Sequence, residues 1–402
     1  MLIVLAGAAA MGGGGPAPAS CDVSSAPYRA ACDNKTEDTA SLQAALDAPA
    51  CTVVLVPRGC VALTRSLNLT RMSGRALRLE GALRVWPDPA TYGAPTGGYN
   101  NPILAGSLTH AWNGPLLRDF TLSGGGAVFG GGERWWPLGK TVNRPRTLWL
   151  PNASNVVIAN LTLVDSPSWN IGIRGDGVRI AGVTISAGAR SCGGYGAAPN
   201  TDGFNVGGTD ILIADSVVHN GDDCVPVTTG NAGFTAGVLA RNISCACGTN
   251  GGVVYNQGGA VRNVTFSGFS VRGTNQGAGV KLAEPGRNAT GGVVEGIIWE
   301  NYAITNPRYA ALYINVFQED AQPPCALPPK PDLTNWLTVR GAVFRNVTAD
   351  APGVQPGCFR CTPGAPCDVE MDGVRADAAG GWTCLNAVVR VGEGGASPPA
   401  CK

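Results

Sequence analysis

A phrase of alternating apolar and polar residues recurs from about residue 150 onward, and it constrains the fold more than any other feature of the chain. Four clear copies read VVIANLTL from Val156, VRIAGVTI from Val178, ILIADSVV from Ile211 and VLARNISC from Val238, and weaker copies open at Val264, Ile297, Ala342 and Val369. Successive copies begin 22, 33, 27, 26, 33, 45 and 27 residues apart. Within each copy a small or amide residue interrupts the strand alternation, which indicates a bend. A constant phrase at unequal spacing is typical of a solenoid whose turns absorb insertions.

We therefore predict an all-β chain, folded as a single-stranded right-handed parallel β-helix with a short N-terminal capping helix. The 58 glycines, 29 prolines and 14% charged residues suit short strands and tight turns. A globular β-sandwich is the alternative. A net charge of +1 gives no basic field for nucleic acid or an anionic membrane, so neither partner is expected.

Upstream of the repeat, Asp38 to Leu46 carries apolar residues at helical spacing, with Thr39 as the predicted N-cap. Thr52 to Val56 is predicted to be the first strand. Residues 86–115 are rich in turn formers and lack strand periodicity, so a long loop over one face is expected.

The N-terminus predicts secretion to the cell exterior or cell wall. Residues 1–19 combine a short apolar run with an A-x-A pattern typical of signal-peptidase sites, and 20–402 are expected to form one β-helix domain with a cysteine-rich part at 325–402. Fourteen cysteines beside two histidines favour disulfides over zinc sites, and Cys224 is expected to join Cys245 or Cys247. No later run reaches the roughly 18 apolar residues of a membrane span. We expect a monomer.

Eight Asn-x-Ser/Thr sequons are compatible with secretion. They begin at Asn34, Asn68, Asn152, Asn160, Asn242, Asn263, Asn288 and Asn346. Four of them, Asn160, Asn242, Asn263 and Asn346, fall within or beside the repeated phrase, where asparagines can instead stack and hydrogen-bond inside the solenoid.

Two acidic motifs lie about one coil apart. Asn200-Thr-Asp-Gly203 is followed by Gly221-Asp-Asp-Cys224, and neighbouring coils of a β-helix lie about 4.8 Å apart. Asp202 is therefore predicted to lie beside Asp222 and Asp223. Because three gathered carboxylates repel, at least one should have a raised pKa and hold a proton near neutrality.

That combination is what cleavage of a glycosidic bond requires. One protonated carboxyl protonates the leaving oxygen, while one carboxylate activates water or attacks the sugar. Ordinary turn formation or calcium binding by the paired aspartates is the structural alternative.

These motifs resemble glycoside hydrolase family 28, the polygalacturonases and their relatives. Further stretches are similar to the family outside the acidic motifs, and they read GGGERWWP from Gly130, RPRTLWL from Arg144 and NLTLVDSPSW from Asn160. The resemblance runs from about Asp38 to Trp382.

The family implies an inverting hydrolysis of α-1,4-linked galacturonan in pectic polysaccharide, without metal or cofactor. By this resemblance Asp222 is the general acid, and Asp202 and Asp223 hold and deprotonate the attacking water. Lys281 matches a lysine that binds the substrate carboxylate, and Asn200 and Asn250 are expected to contact substrate as well.

The chain departs from the family at three positions. The usual histidine is replaced by Asn250, or by Gly251 if the register is anchored on Cys247. An arginine is replaced by Gly279, and a tyrosine by Phe317. His219 is a minor candidate to stand in for the missing histidine.

These departures leave other functions open. Rhamnogalacturonan hydrolases of the family also lack the histidine and carry a segment similar to Cys247 to Gly252, although they tend to have Asp-Glu where this chain has Asp222-Asp223. A calcium-dependent pectate lyase and a pectin-binding wall protein without turnover are further alternatives. Four tryptophans offer sugar-stacking platforms or packing at the coil edge, namely Trp135, Trp136, Trp149 and Trp169.

Overall fold

The computed structural model is a right-handed parallel β-helix, which confirms the predicted fold class. It describes residues 19–92, 102–106, 116–142, 144–188, 192, 196–229, 233–256, 258–282, 291–316, 337–362, 364–378 and 381–396. The segment 1–18, most of the predicted signal peptide, lies outside the described residues. So do Phe317, Cys325 and the segments 93–101 and 107–115 of the predicted loop.

The first coils are built from short elements. They are β1 (Ser20–Asp22), β2 (Asp33–Glu37), α1 (Thr39–Asp47), β3 (Val53–Val56), β4 (Val61–Thr64), β5 (Leu67–Asn68), β6 (Ala76–Leu79), β7 (Ala82–Val85), β8 (Leu104–Ala105), β9 (Leu117–Ser123) and β10 (Ala127–Phe129). Two 3₁₀ turns follow at Gly132–Arg134 and Trp136–Thr141.

Three predictions for this part of the chain were wrong in detail. Two short strands precede Val53–Val56, because β1 and β2 carry no alternation long enough to read from sequence. The helix has Asp38, not Thr39, in the N-cap position, and the Asp38 carboxylate instead accepts the backbone N–H groups of Ala31 and Cys32. The region 86–115 is no continuous loop, since β8 within it pairs with β5 and β11.

The later coils carry longer strands. They are β11 (Leu148–Val164), β12 (Ile171–Ser186), β13 (Phe204–His219), β14 (Val225–Thr228), β15 (Phe234–Ala246), β16 (Asn250–Asn256), β17 (Gly259–Arg272), β18 (Gln276–Leu282), β19 (Gly292–Thr305), β20 (Ala310–Asn315), β21 (Leu337–Ala351), β22 (Gln355–Arg360), β23 (Cys367–Ala378), β24 (Thr383–Leu385) and β25 (Ala387–Val391).

The repeated phrase sets the register of these coils. Each residue that opens a copy pairs with the opening residue of the next copy, from Val156 and Val178 through to Ala342 and Val369. The register holds although copies are separated by as many as 45 residues. Parallel pairing in register lets each coil bury its apolar face against its neighbours.

The bend in each copy is made by a residue with left-handed backbone. Asn160, Asp215 and Asn242 have φ of 53°, 51° and 53°, and Gly182 has φ of 64° at the equivalent position. Asparagine, aspartate and glycine tolerate this conformation best. The amides also bond between coils, as in Asn242 Nδ2 to Asp215 Oδ1 at 2.7 Å. The bend residues are therefore selected by backbone geometry.

The interior of the described coils is mainly apolar. In the C-terminal coils it contains a column of aromatic rings, with Trp299 and Phe344 stacked at 4.7 Å and Phe344 and Phe359 at 5.8 Å between ring centroids. Trp135 and Trp149 are also buried, which favours packing over an exposed sugar platform for both.

Disulfides connect neighbouring coils. Cys224 joins Cys245, one of its two expected partners, and Cys247 joins Cys192 instead. At the N-terminal end the bonds are Cys21–Cys51 and Cys32–Cys60. Among the described residues no helix is long and apolar enough to cross a membrane.

Candidate active site

The two acidic motifs meet on adjacent coils. The backbone N–H of Gly203 donates to the carbonyl of Asp223 at 2.8 Å, and that of Phe204 donates to Cys224 at 3.0 Å. Asp202, Asp222 and Asp223 are 6%, 9% and 3% exposed. The structure therefore brings together the three carboxylates that the spacing predicted to be neighbours.

Asp222 is arranged to carry a proton. Its Oδ1 accepts the backbone N–H of Asp223 at 2.8 Å and faces the hydroxyl of Thr249 at 2.9 Å, which leaves Oδ2 for the acidic hydrogen. Burial, and next the charges of Asp202 and Asp223, raise the pKa of Asp222 well above its usual value. The group therefore keeps its proton to a higher pH than an exposed aspartate does.

Asp223 forms the ion pair of the site. Its Oδ2 lies 2.9 Å from Nζ of Lys281, whose side chain reaches back from β18 across one intervening coil. Its Oδ1 accepts Nδ2 of Asn250 at 2.6 Å and contacts the hydroxyl of Thr249. Because a hydroxyl has one hydrogen, Thr249 donates to only one of Asp222 and Asp223 at a time.

Asp202 is supported from the N-terminal side. Its Oδ2 accepts Nδ2 of Asn205 at 2.9 Å, and Oδ1 of Asn205 accepts a guanidinium nitrogen of Arg174 at 2.8 Å. Burial, with the charge of Asp223 second, raises the pKa of Asp202 to about 7. Asp202 therefore changes its protonation state near neutrality.

Asn200 is held by Arg144. A guanidinium nitrogen of Arg144 donates to Oδ1 of Asn200 at 2.6 Å, and Asn200 itself has left-handed backbone with φ of 56°. The Arg-Pro segment therefore holds the turn that leads into Asp202.

Two of the three positions at which the chain departs from the family pattern lie among the described residues. Asn250 lies against Asp223, whereas a side chain at Gly251 would collide with the carbonyl of Gly277. Asn250 is therefore the side chain that faces the carboxylates. A Cβ on Gly279 would lie 1.9 Å from the carbonyl of Tyr313, so β20 occupies the space that a larger residue would need. Phe317 lies outside the described residues.

His219 ends β13 and lies near the Cys192–Cys247 disulfide. Its Nε2 is buried without a hydrogen-bond partner among the described residues, and burial lowers its pKa. It pairs in the sheet with Ser186 and Ala246, and no described hydrogen bond or ion pair links it to Asp222.

Three polar residues of the site were missed by sequence reasoning: Arg174, Asn205 and Thr249. Asn205 lies three residues after Asp202, and Thr249 immediately precedes Asn250. Arg174 pairs with Gly207 in the register of β12 and β13, so extending the repeat upstream would have placed it beside the site.

Fold and site together define a parallel β-helix with clustered carboxylates of unequal protonation, an arrangement typical of enzymes that cleave glycosidic bonds. The model of Glycosyl hydrolases family 28 matches residues 110–393. The chain belongs to this family.

Relatives by sequence are polygalacturonases. Endopolygalacturonase A of Aspergillus niger is 29% identical over 288 residues, covering 68% of this chain and 72% of that protein. A polygalacturonase of Juniperus ashei is 25% identical over 331 residues, covering 77% of this chain and 58% of its own length. The match to a polygalacturonase of Chamaecyparis obtusa likewise spans 61% of that protein. The chain thus spans about three fifths of these two conifer proteins.

Solved structures show the same fold. An endo-xylogalacturonan hydrolase from Aspergillus tubingensis aligns with a TM-score of 0.73 at 20% identity, covering 94% of this chain and 100% of that one. An exopolygalacturonase from Thermotoga maritima aligns with a TM-score of 0.73 at 18% identity, covering 93% and 90%.

Proposed function

We propose that the protein hydrolyses α-1,4-linked galacturonan in pectic polysaccharide outside the cell, with inversion at the anomeric carbon. The observation that carries this proposal is the unequal environment of adjacent carboxyl groups, because burial and neighbouring charge raise the pKa of Asp222 whereas Asp223 is paired with Lys281. The polygalacturonases among the relatives support galacturonan as the substrate.

In this mechanism Asp222 gives its proton to the glycosidic oxygen as the bond from that oxygen to the anomeric carbon breaks. Water attacks the same carbon from the opposite face, and its proton passes to Asp223 or Asp202. Thr249 lies between Asp222 and Asp223 and orients both groups. Lys281 pairs with Asp223 at 2.9 Å, and an ammonium at this place suits the carboxylate of a galacturonate unit.

A second candidate is hydrolysis of a substituted or rhamnose-containing pectic backbone. Asn250 contacts Asp223 where the family usually has a histidine, and Gly279 has no side chain to bind a uronate. With fewer side chains to recognise galacturonate at these two positions, the site suits a polysaccharide backbone that contains other sugars.

A substrate panel tests both candidates. Polygalacturonic acid, rhamnogalacturonan and xylogalacturonan are incubated with the protein and with Asp222→Asn, and new reducing ends are measured. We expect products from polygalacturonic acid with the unmodified protein and almost none with the variant. Products from only one of the other polymers would favour the second candidate.

Two further readouts address the remaining alternatives. Product that absorbs in the near ultraviolet and disappears with a chelator would indicate a lyase. No reducing ends from any polymer, together with oligosaccharide binding that Asp222→Asn leaves intact, would indicate a binding protein without turnover.

A further inference from the structure

A cavity of about 450 Å³ opens on the N-terminal coils. Three of its lining residues are cationic, namely Lys35, Arg84 and Arg134, and none of its described lining residues is acidic. The lining is completed by Asn34, Leu63, Trp86 and Pro87. This volume lies within the range of small-ligand sites, which combine apolar and aromatic groups with a few polar ones. The cavity therefore has the composition expected of a site for an anion that also carries an apolar face.

The cations of this cavity differ in their pairing from exposed arginines elsewhere. Arg179, for example, lies 2.7 Å from Asp210. The side chains of Lys35 and Arg84, by contrast, have no hydrogen bond or ion pair among the described residues. Because like charges gathered at one place repel, keeping them there without a counter-charge costs free energy. An anion bound in the cavity would offset this cost.

Trp86 is held in one orientation at the cavity. Its indole Nε1 donates to the hydroxyl of Thr91 at 2.9 Å, and the guanidinium carbon of Arg65 lies 4.3 Å from its ring centroid. Arg65 is in turn paired with Glu37 at 3.0 Å. A fixed aromatic ring offers a large apolar contact at little cost in conformational entropy. The apolar C–H face of a sugar ring suits such a contact.

The Gly-rich stretch GGGERWWP, which the proposed mechanism does not use, positions Arg134. Gly131 has left-handed backbone with φ of 65° immediately before the first 3₁₀ turn. A Cβ on Gly132 would collide with the ring of Trp136, so this turn is packed too closely for a side chain there. A guanidinium nitrogen of Arg134 donates to the carbonyl of Pro87 at 3.1 Å. The glycines thus let the turn approach the segment after β7 and bring its arginine to the cavity.

The cavity is separate from the catalytic carboxylates. Arg84 is in register with His219, at the end of β13, through the intervening residues Phe129, Val164 and Ser186. The strand β14, which follows the Asp222-Asp223 pair, is instead aligned with the start of β13. Four coil spacings of about 4.8 Å, roughly 19 Å in total, separate Arg84 from the coil of His219. A ligand in the cavity and a sugar at the carboxylates therefore occupy different places on the protein.

We propose that this cavity is a second, non-catalytic site that binds an acidic polysaccharide. Lys35, Arg84 and Arg134 bind its carboxylates, and Trp86 packs against a sugar ring. The choice of galacturonan as the ligand rests on the proposed function, whereas the site itself is inferred from the cavity. A polymer held at two separate places dissociates less readily than one held at a single place, so the site keeps the protein on long chains.

The test measures retention of the protein by long polygalacturonate in affinity electrophoresis. All proteins carry Asp222→Asn, so that the polymer is not cut, and they are produced without N-glycans because Asn34 begins a sequon at the cavity. Adding Arg84→Gln and Arg134→Gln should weaken the affinity for the polymer at least 10-fold, because two charge-assisted contacts and the second attachment are lost. The thermal midpoint should stay unchanged, since both arginines are exposed.

Two further variants separate this site from overall charge. Arg78→Gln combined with Arg179→Gln is the matched control, because it removes the same charge from two arginines that pair with Glu80 and Asp210. The control should keep its affinity within twofold. Lys35→Gln, at an exposed residue of β2, should weaken retention several-fold, and it tests the cavity independently if the double arginine variant does not fold.

Activity on a short substrate shows whether the cavity acts apart from the carboxylates. With Asp222 intact, Arg84→Gln combined with Arg134→Gln should leave kcat/KM on trigalacturonate within twofold, because three sugars are too short to reach both places. A 10-fold fall would overturn the assignment of a separate site. If no substrate is hydrolysed, the retention measurements decide the inference without this arm.

Polyglutamate distinguishes a sugar site from general attraction between charges. It presents carboxylates without sugar rings, so the loss caused by Arg84→Gln with Arg134→Gln should be at least threefold smaller than on polygalacturonate. Equal losses on the two polymers would overturn the proposal. So would equal losses in the arginine variant and the matched control, or no retention of the Asp222→Asn protein. Loss of retention confined to the cavity variants supports the site even if the proposed hydrolysis fails.

Discussion

The groove around Asp223 and the aromatic column of the C-terminal coils use the same parallel ladder for opposite purposes. In the column, Trp299, Phe344 and Phe359 bury large rings with stacked geometry, and the indole N–H of Trp299 is satisfied by the carbonyl of Gly252 at 3.0 Å. In the groove, Asp222 and Asp223 are also buried, but they carry carboxyl groups whose charged form is costly to remove from water. Burial in the first region stabilises the fold, whereas burial in the second adjusts the chemistry of carboxyl groups.

This difference predicts that activity and stability can be lost independently. Substitutions in the groove should remove activity and leave the solenoid folded. Substitutions in the column should do the reverse.

The largest effect is expected at the ion pair. Asp223→Asn removes the carboxylate that faces Lys281 and should lower kcat roughly 1,000-fold or more, because water loses its base. Circular dichroism should show the same fold, but the thermal midpoint should fall because the buried ammonium of Lys281 loses its counter-charge. Activity is therefore compared at a temperature where the variant is folded. Asp377→Asn, at an exposed aspartate of β23, is the matched control and should keep full activity. A kcat within threefold of the unmodified value would remove Asp223 from the mechanism.

Substitutions in the aromatic column should lower stability and leave activity unchanged. Phe344→Ala leaves a cavity between Trp299 and Phe359 and should cost about 3–5 kcal/mol, measured as a fall in the thermal or denaturant midpoint. At a temperature where the variant is folded, kcat should be unchanged. Phe344→Leu, which fills more of the space, should cost less. Equal midpoints for both variants would show that the column is not a source of stability.

The pH dependence of stability follows from the raised carboxyl pKa values. Asp202 titrates near 4 when unfolded and at about 7 when folded, so its neutral form stabilises the fold and this contribution is lost as pH rises from 4 to 7. Asp202→Asn removes this pH-dependent loss of stability, because an amide does not ionise. The variant should melt roughly 2 °C above the unmodified protein at pH 8 and show a smaller difference at pH 4. A larger gain at pH 4 than at pH 8 would contradict the assignment.

The smallest effect is expected at the bends. Asn346 has φ of 48° and its amide bonds to Oδ1 of Asn301 at 2.7 Å. Asn346→Ala should cost about 1 kcal/mol or slightly more, through left-handed strain and a lost hydrogen bond. Asn346→Gly relieves the strain and should cost less, as seen in denaturant midpoints. If Asn346→Gly costs more stability than Asn346→Ala, left-handed backbone strain does not determine which residue occupies the bend.

The sequence predicted most of the long coils and the meeting of the carboxylates. A regular alternation spaced by variable loops specifies which residues pair, because a slip by one position would turn the apolar face outward. Residues as distant as Ile297 and Ala342 were therefore aligned correctly. Asp202 and the Asp222-Asp223 pair followed from the same count of one coil.

Other parts could not be read in this way. The strands β1 and β2 have three and five residues, too few to show a periodicity, so the sequence predicts Thr52 to Val56 as the first strand. The partner of Lys281 depends on side-chain direction across an intervening coil, and the contact of Asn205 with Arg174 depends on side-chain direction between adjacent coils. No local sequence pattern encodes either direction. Arg174 reads as an ordinary strand residue until the register puts it next to Asn205.

The in-register ladder has a consequence for any polymer lying along the groove. Equivalent side chains on successive coils recur at the coil spacing of about 4.8 Å. A sugar chain whose repeat length differs from this spacing is not in register with the coils. Its carboxylates therefore lie opposite protein side chains of the groove only at certain positions along the chain. Affinity should then grow unevenly with oligomer length, in steps where a sugar carboxylate next falls opposite a cation.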